Sequence, residues 1–151
     1  MNYNDWYRIC KYQVNVSLNE VPIHDYDYIV GPHYYLKNNH WVAIIIDMKL
    51  AKFQLIDPLE ASEKKSQIFF DSWVEYYNKR NDFLINKWIQ NAKNVKHPIQ
   101  KDKFNCGVYV CLIIKQYISK NTNKIEFKNT EEDMIIYRKL IAETIDFNCI
   151  R

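Results

Sequence analysis

The sequence predicts an α+β fold, in which a central, mostly antiparallel sheet packs against a buried helix. Three stretches lead there. His40–Asp47 (HWVAIIID) is an almost continuous apolar run of strand length, and the alternating Lys52–Asp57 (KFQLID) follows it closely. Between 62 and 79, Ile68, Phe69, Trp73, Tyr76 and Tyr77 recur at helical spacing and form one apolar stripe. From Cys106 to Ser119 the chain is apolar with few charges, which predicts a largely buried helix.

Taken in order, Asn4–Val16 is ambiguous between a short helix and irregular chain. Tyr26–Tyr35 is rich in aromatic and β-branched residues and reads as a strand, with Gly31-Pro32 as a bend or an edge. Leu36–Asn39 turns the chain into the 40–47 strand, whose apolar run predicts burial on both faces. Met48–Ala51 turns it again into 52–57, so the two strands should form an antiparallel hairpin. The pattern of Asn81–Lys96 is unclear, and Val95–Ile99 reads as a short strand. Thr130-Glu131-Glu132-Asp133 resembles a capping box heading a last helix that carries Ile135, Ile136, Leu140 and Ile141.

Composition excludes several functions. Of the 151 residues 48% are hydrophobic and 26% charged, which fits a single globular domain rather than a disordered chain. The net charge of +3 is too small to argue for nucleic acid. No apolar run reaches spanning length, so no membrane partner is expected. MNYNDWYRICKYQ lacks the apolar core of a secretory signal. Cys10, Cys106, Cys111 and Cys149 show no framework spacing, which points to reduced thiols and an intracellular place, nucleus or cytoplasm. The four His and four Cys form no metal-ligand pair, so neither metal nor cofactor is expected.

The chemistry concentrates around KFNCGVYVC, residues 103–111. Thiol catalysis needs a thiolate, a base to form it, an orienter for the base and donors for the oxyanion. Cys106 sits where a helix starts, where the local positive field favours the thiolate. Gly107 leaves room for substrate backbone, and Asn105 is placed to cap the helix. His40 opens the central strand and Asp57 closes its hairpin partner, so the two should be neighbours. Gln100, six residues before Cys106, can bring an amide N–H to the spot served by the Cys106 backbone N–H. Cys111, inside the apolar run, reads as an ordinary core cysteine.

His40-Trp41, Asp57, Gln100 and Asn105-Cys106-Gly107-Val108 together resemble the catalytic signature of the Ulp/SENP family of ubiquitin-like-protein cysteine proteases, related to the adenoviral protease. The resemblance covers about Asp27 to Gln116. It implies a papain-like cysteine protease fold of the Ulp/adenoviral-protease type, with Cys106 as nucleophile, His40 as general base, Asp57 as its orienter and Gln100 as oxyanion donor. Trp41 would wall a narrow tunnel for a Gly-Gly tail, with Gly107 and Asn105 beside it. The implied partner is SUMO or another ubiquitin-like modifier and its conjugates, met by a monomer. Asn105 stands where Asp is common in the family, and Asn4-Asp5-Trp6-Tyr7 is a poor match to its N-terminal motif. The expectation is therefore one catalytic domain over 1–151 with a short or truncated N-terminal part. Two alternatives stay open: a catalytically silent modifier-binding module, and a viral or transposon-type polyprotein-processing protease of the same fold.

Overall fold

A computed structural model describes residues 22–60, 63–80, 84–90, 95–120 and 124–149. The ambiguous Asn4–Val16 stretch lies outside them, as does Asn4–Tyr7. Tyr28–Tyr35 forms β1, His40–Asp47 β2 and Lys52–Ile56 β3. The helix Glu63–Asn78 is α1, and the two-residue strand Ile89–Gln90 is β4. Cys106–Lys120 forms α2 and Glu131–Cys149 forms α3.

The strands make one sheet in the order β1-β2-β3-β4. β1 runs antiparallel to β2, with Tyr35 opposite His40 and Tyr28 opposite Asp47. β2 runs antiparallel to β3, with Ala43 opposite Ile56 and Asp47 opposite Lys52. Among the described strands, β4 departs from the antiparallel pattern, lying parallel to β3. Pro32 has no N–H to give, and the strand that holds it lies at the sheet's edge.

Burial on both faces of β2 divides its side chains between two cores. Val42, Ile44 and Ile46 join Phe53 and Leu55 of β3 against Phe69, Trp73, Tyr76 and Tyr77 of α1. Ala43 and Ile45 face the other way, onto Tyr109, Val110, Ile113 and Tyr117 of α2. The alternation follows from the two-residue period of a strand, and it holds the sheet between α1 and α2. α3 packs on α2 from outside.

Two turns aim the ends of β2. Asn39 takes a left-handed conformation (φ 48°), and its side-chain oxygen accepts from the Tyr34 hydroxyl at 2.8 Å. At the other end Asp47 accepts from the Leu50 N–H at 2.8 Å, closing the hairpin turn. The capping box forms: the Asp133 N–H donates to Thr130 Oγ1 at 3.2 Å, and the Thr130 N–H donates back to Asp133 Oδ2 at 3.1 Å.

Several expectations need correction. Ile68 does not belong to the buried stripe of α1; it is exposed, because Phe69, Trp73, Tyr76 and Tyr77 already define the inward face. Ile135, Ile136 and Leu140 of α3 are exposed too, and only Ile141 of that set packs against a core. Val95–Ile99 is not a strand: Lys96 makes one isolated bridge to Lys124. Cys111 is not a core residue but an exposed one. The inward face of α2 is set by Tyr109, Val110, Ile113 and Tyr117, and at about 100° per residue position 111 points nearly opposite Tyr109.

Candidate active site

The hairpin register delivers its chemistry at one end. His40 begins β2 and Asp57 directly follows β3, so the two meet across the hairpin although seventeen residues separate them. His40 Nε2 and Asp57 Oδ1 are 2.6 Å apart, and both residues are buried. A carboxylate only accepts, so Nε2 carries the proton and Nδ1 remains as the acceptor for a second group. The Leu59 N–H donates to the same Oδ1 at 2.9 Å, which fixes the carboxylate in the Asp57-Pro58 turn.

Two further contacts bring in the segment around the cysteine. The Gln100 N–H donates to the Pro58 carbonyl at 2.8 Å, which ties the loop before α2 to the turn that holds Asp57. At the first turn of α2, a methyl group on Gly107 would lie 3.7 Å from Cδ1 of the Trp41 indole. That is ordinary contact distance, so the glycine leaves one methyl's width open beside the ring; a larger side chain would fill it. Trp41 itself leans on Tyr34, with ring centroids 4.7 Å apart. Cys106 is buried at the helix start, the first residue of α2.

Asn105 caps through its backbone: its carbonyl accepts the Tyr109 N–H at 3.0 Å, the first bond of the helical ladder. Its side chain is engaged elsewhere. Nδ2 donates to Asp102 Oδ2 at 3.0 Å, and Oδ1 accepts from Arg138 of α3 at 2.6 Å. The Gln100 amide is turned to the same acid, with Nε2 donating to the Asp102 carbonyl at 2.9 Å and to Asp102 Oδ1 at 3.1 Å. Gln100 Oε1 is buried with no hydrogen-bond partner among the described residues.

Asp102 and Arg138 are the residues that sequence reasoning missed. Asp102 Oδ1 also accepts the backbone N–H groups of Phe104 at 2.9 Å and Asn105 at 2.8 Å. Burial pushes the Asp102 carboxyl up, but the hydrogen bonds from Asn105, Phe104 and Gln100 outweigh it and hold it below the ordinary carboxylate range. An Asp two residues before a loop N–H is a recognisable turn signal, and it could have been read as one. Nothing local marks Arg138, which reaches Asn105 from α3.

A cavity of about 460 Å³ adjoins this end of the sheet, lined by Trp41, Phe104, Gly107, Cys111, Arg138 and Ile141 among others. Burial in this wall pushes the Cys111 thiol up despite the residue's exposed surface. A hollow of about 420 Å³ on α1, lined by Phe70, Val74 and Asn78, contains none of the candidate site residues. Among the described residues no group of His, Cys, Asp or Glu could hold a metal ion, and no helix is long and apolar enough to cross a membrane.

Comparison with known proteins adds a family match, two relatives and two solved structures of similar fold. The family described as the Ulp1 protease family, C-terminal catalytic domain, matches residues 3–150. Ubiquitin-like-specific protease 1A of Arabidopsis thaliana is 25% identical over 114 residues, covering 72% of this chain and 21% of that protein. Probable sentrin-specific protease 8 of Dictyostelium discoideum is 27% identical over 109 residues, covering 68% and 42%. The chain thus spans less than half the length of either relative. The fold is similar to that of the C-terminal Ulp1 protease domain solved in complex with Smt3, the yeast ortholog of SUMO (TM-score 0.73, 22% identity, 99% of this chain and 62% of that one). It is also similar, more distantly, to the Chlamydia abortus effector ChlaDUB (TM-score 0.55, 14% identity, 86% of this chain and 62% of that one).

Proposed function

This chain belongs to the Ulp1 protease family, and from that premise we propose that it is a cysteine peptidase cleaving after the Gly-Gly tail of SUMO or a related ubiquitin-like modifier. The observation that carries the proposal is the buried His40–Asp57 pair at 2.6 Å, set at the end of the sheet where Trp41 meets Gly107. A carboxylate bound to one ring nitrogen leaves the other to act on a proton, which is the arrangement a thiol nucleophile requires.

The reaction proceeds as an acyl transfer. His40 Nδ1 takes the Cys106 thiol proton, and the thiolate attacks the last glycine's carbonyl. The tetrahedral oxyanion is met by the Cys106 backbone N–H and the Gln100 amide. Collapse breaks the peptide or isopeptide bond, and the imidazolium returns its proton to the leaving amine. Water, deprotonated by His40, then hydrolyses the thioester and releases the tail carboxylate and the free thiol. Asp57 fixes the imidazole's tautomer and orientation throughout. Trp41 and the open edge of Gly107 admit a tail without side chains.

One observation favours the second reading, a silent modifier-binding module: the Gln100 amide nitrogen is engaged by Asp102. A panel of electrophilic probes built on the tails of SUMO, ubiquitin and other modifiers separates the two. Covalent capture of the wild type, lost in Cys106→Ala, supports the peptidase. Tail binding by both forms without adduct or cleavage gives the silent module, and cleavage of short polyprotein-like peptides with no modifier preference gives the processing protease.

A further inference from the structure

Asp102 stands at the centre of the loop between the two groups that would face the oxyanion. Its Oδ1 accepts from Gln100 Nε2, from the Phe104 N–H and from the Asn105 N–H, and its Oδ2 accepts from Asn105 Nδ2. Its carbonyl takes a second bond from Gln100 Nε2. One residue therefore touches the Gln100 side chain and also fixes the residue whose carbonyl forms the peptide bond to Cys106. Across the loop, Arg138 of α3 holds Asn105 Oδ1 at 2.6 Å, so Asn105 is gripped from both sides.

We propose that Asp102 is a positioning residue for the Asn105–Cys106 peptide, whose N–H faces the oxyanion, with Arg138 as the brace on the far side of Asn105. The inference rests on the reading of Cys106 given above. Its physical basis is the convergence of four donors on one carboxylate: charge-assisted bonds are the strong ones, and an ionised acid can serve several donors where a neutral group could not. The positive Arg138, reaching through Asn105, offsets a negative charge that would otherwise oppose the developing oxyanion.

A role confined to the oxyanion differs from a general structural one in what it leaves untouched. Alkylation of Cys106 by iodoacetamide uses the thiolate but forms no oxyanion. With a fluorogenic substrate carrying the preferred tail, Asp102→Ala should lower kcat by about tenfold or more with KM within about twofold, while alkylation of Cys106 stays within about twofold of wild type. Asp102→Asn keeps one side-chain oxygen for the two backbone N–H groups, so it should retain more turnover and show the same split; it serves as the test should the alanine variant not fold. Equal losses in turnover and alkylation would overturn the proposal in favour of plain structural support. So would unimpaired kcat in both Asp102 variants. A wild type that never turns over points instead at the proposed function, and the two failures are thus distinguishable.

Discussion

The backbone N–H of Gln100 donates to the carbonyl of Pro58, the residue after Asp57, at 2.8 Å. The loop that leads to Cys106 is thereby tied to the turn that orients His40, and a disturbance of either reaches the other.

Asp57→Asn should preserve the fold and lose activity. Asn can accept from the Leu59 N–H as Asp57 does, but it is neutral and can hold His40 in the wrong tautomer. A kcat reduction of about 10²–10⁴-fold is expected, the scale of general-base catalysis, with circular dichroism unchanged. Wild-type turnover in this variant would remove Asp57 from the mechanism.

Cys106 and Cys111 should separate in reactivity at pH 6. Burial pushes the Cys111 thiol up, so its exposed surface does not supply thiolate. Cys106, at a helix start and served by His40, should be alkylated by iodoacetamide about tenfold faster or more. Peptide mapping after a timed quench reads the ratio; equal labelling would argue against an activated Cys106.

Gln100→Ala should lower kcat by about 10²–10³-fold, the usual cost of one oxyanion donor, with KM nearly unchanged. An unimpaired variant would mean that the hole is built from other groups.

His33 predicts acid sensitivity. Its ring packs edge-on against Tyr35 and Phe69, Nδ1 is buried without a partner among the described residues, and burial pulls its pKa down from 6.5 to about 4. The unfolded chain then binds a proton that the folded one refuses. The neutral ring's full contribution is therefore present above pH 6.5 and is lost as pH falls toward 4. By about pH 4.5 the loss should reach about 2–3 kcal/mol. Urea midpoints at neutral pH and at about pH 4.5 should fall less in His33→Phe than in wild type; parallel falls would show that His33 does not carry the effect.

Much of this was legible because it was written in period and position. The run at 40–47 has the length and composition of a doubly covered strand, and Asp57 follows from hairpin register once that strand is placed. β4 was not legible: it is two residues long and parallel, held by register to β3 rather than by any pattern of its own. Periodicity alone put Ile68, Ile135, Ile136 and Leu140 inside, yet helical spacing names a face without saying what that face meets. Asp102 was hidden for a related reason. An acid in a polar loop looks like a solvated one until the four donors around it are seen together.

The alternation of β2 between two cores carries one more consequence. A strand paired one residue out of step would exchange Val42, Ile44 and Ile46 for Ala43 and Ile45 at α1, and would turn His40 away from Asp57 in the same act. A sheet that zips in the wrong register would therefore lose both cores and, on the proposed mechanism, turnover together.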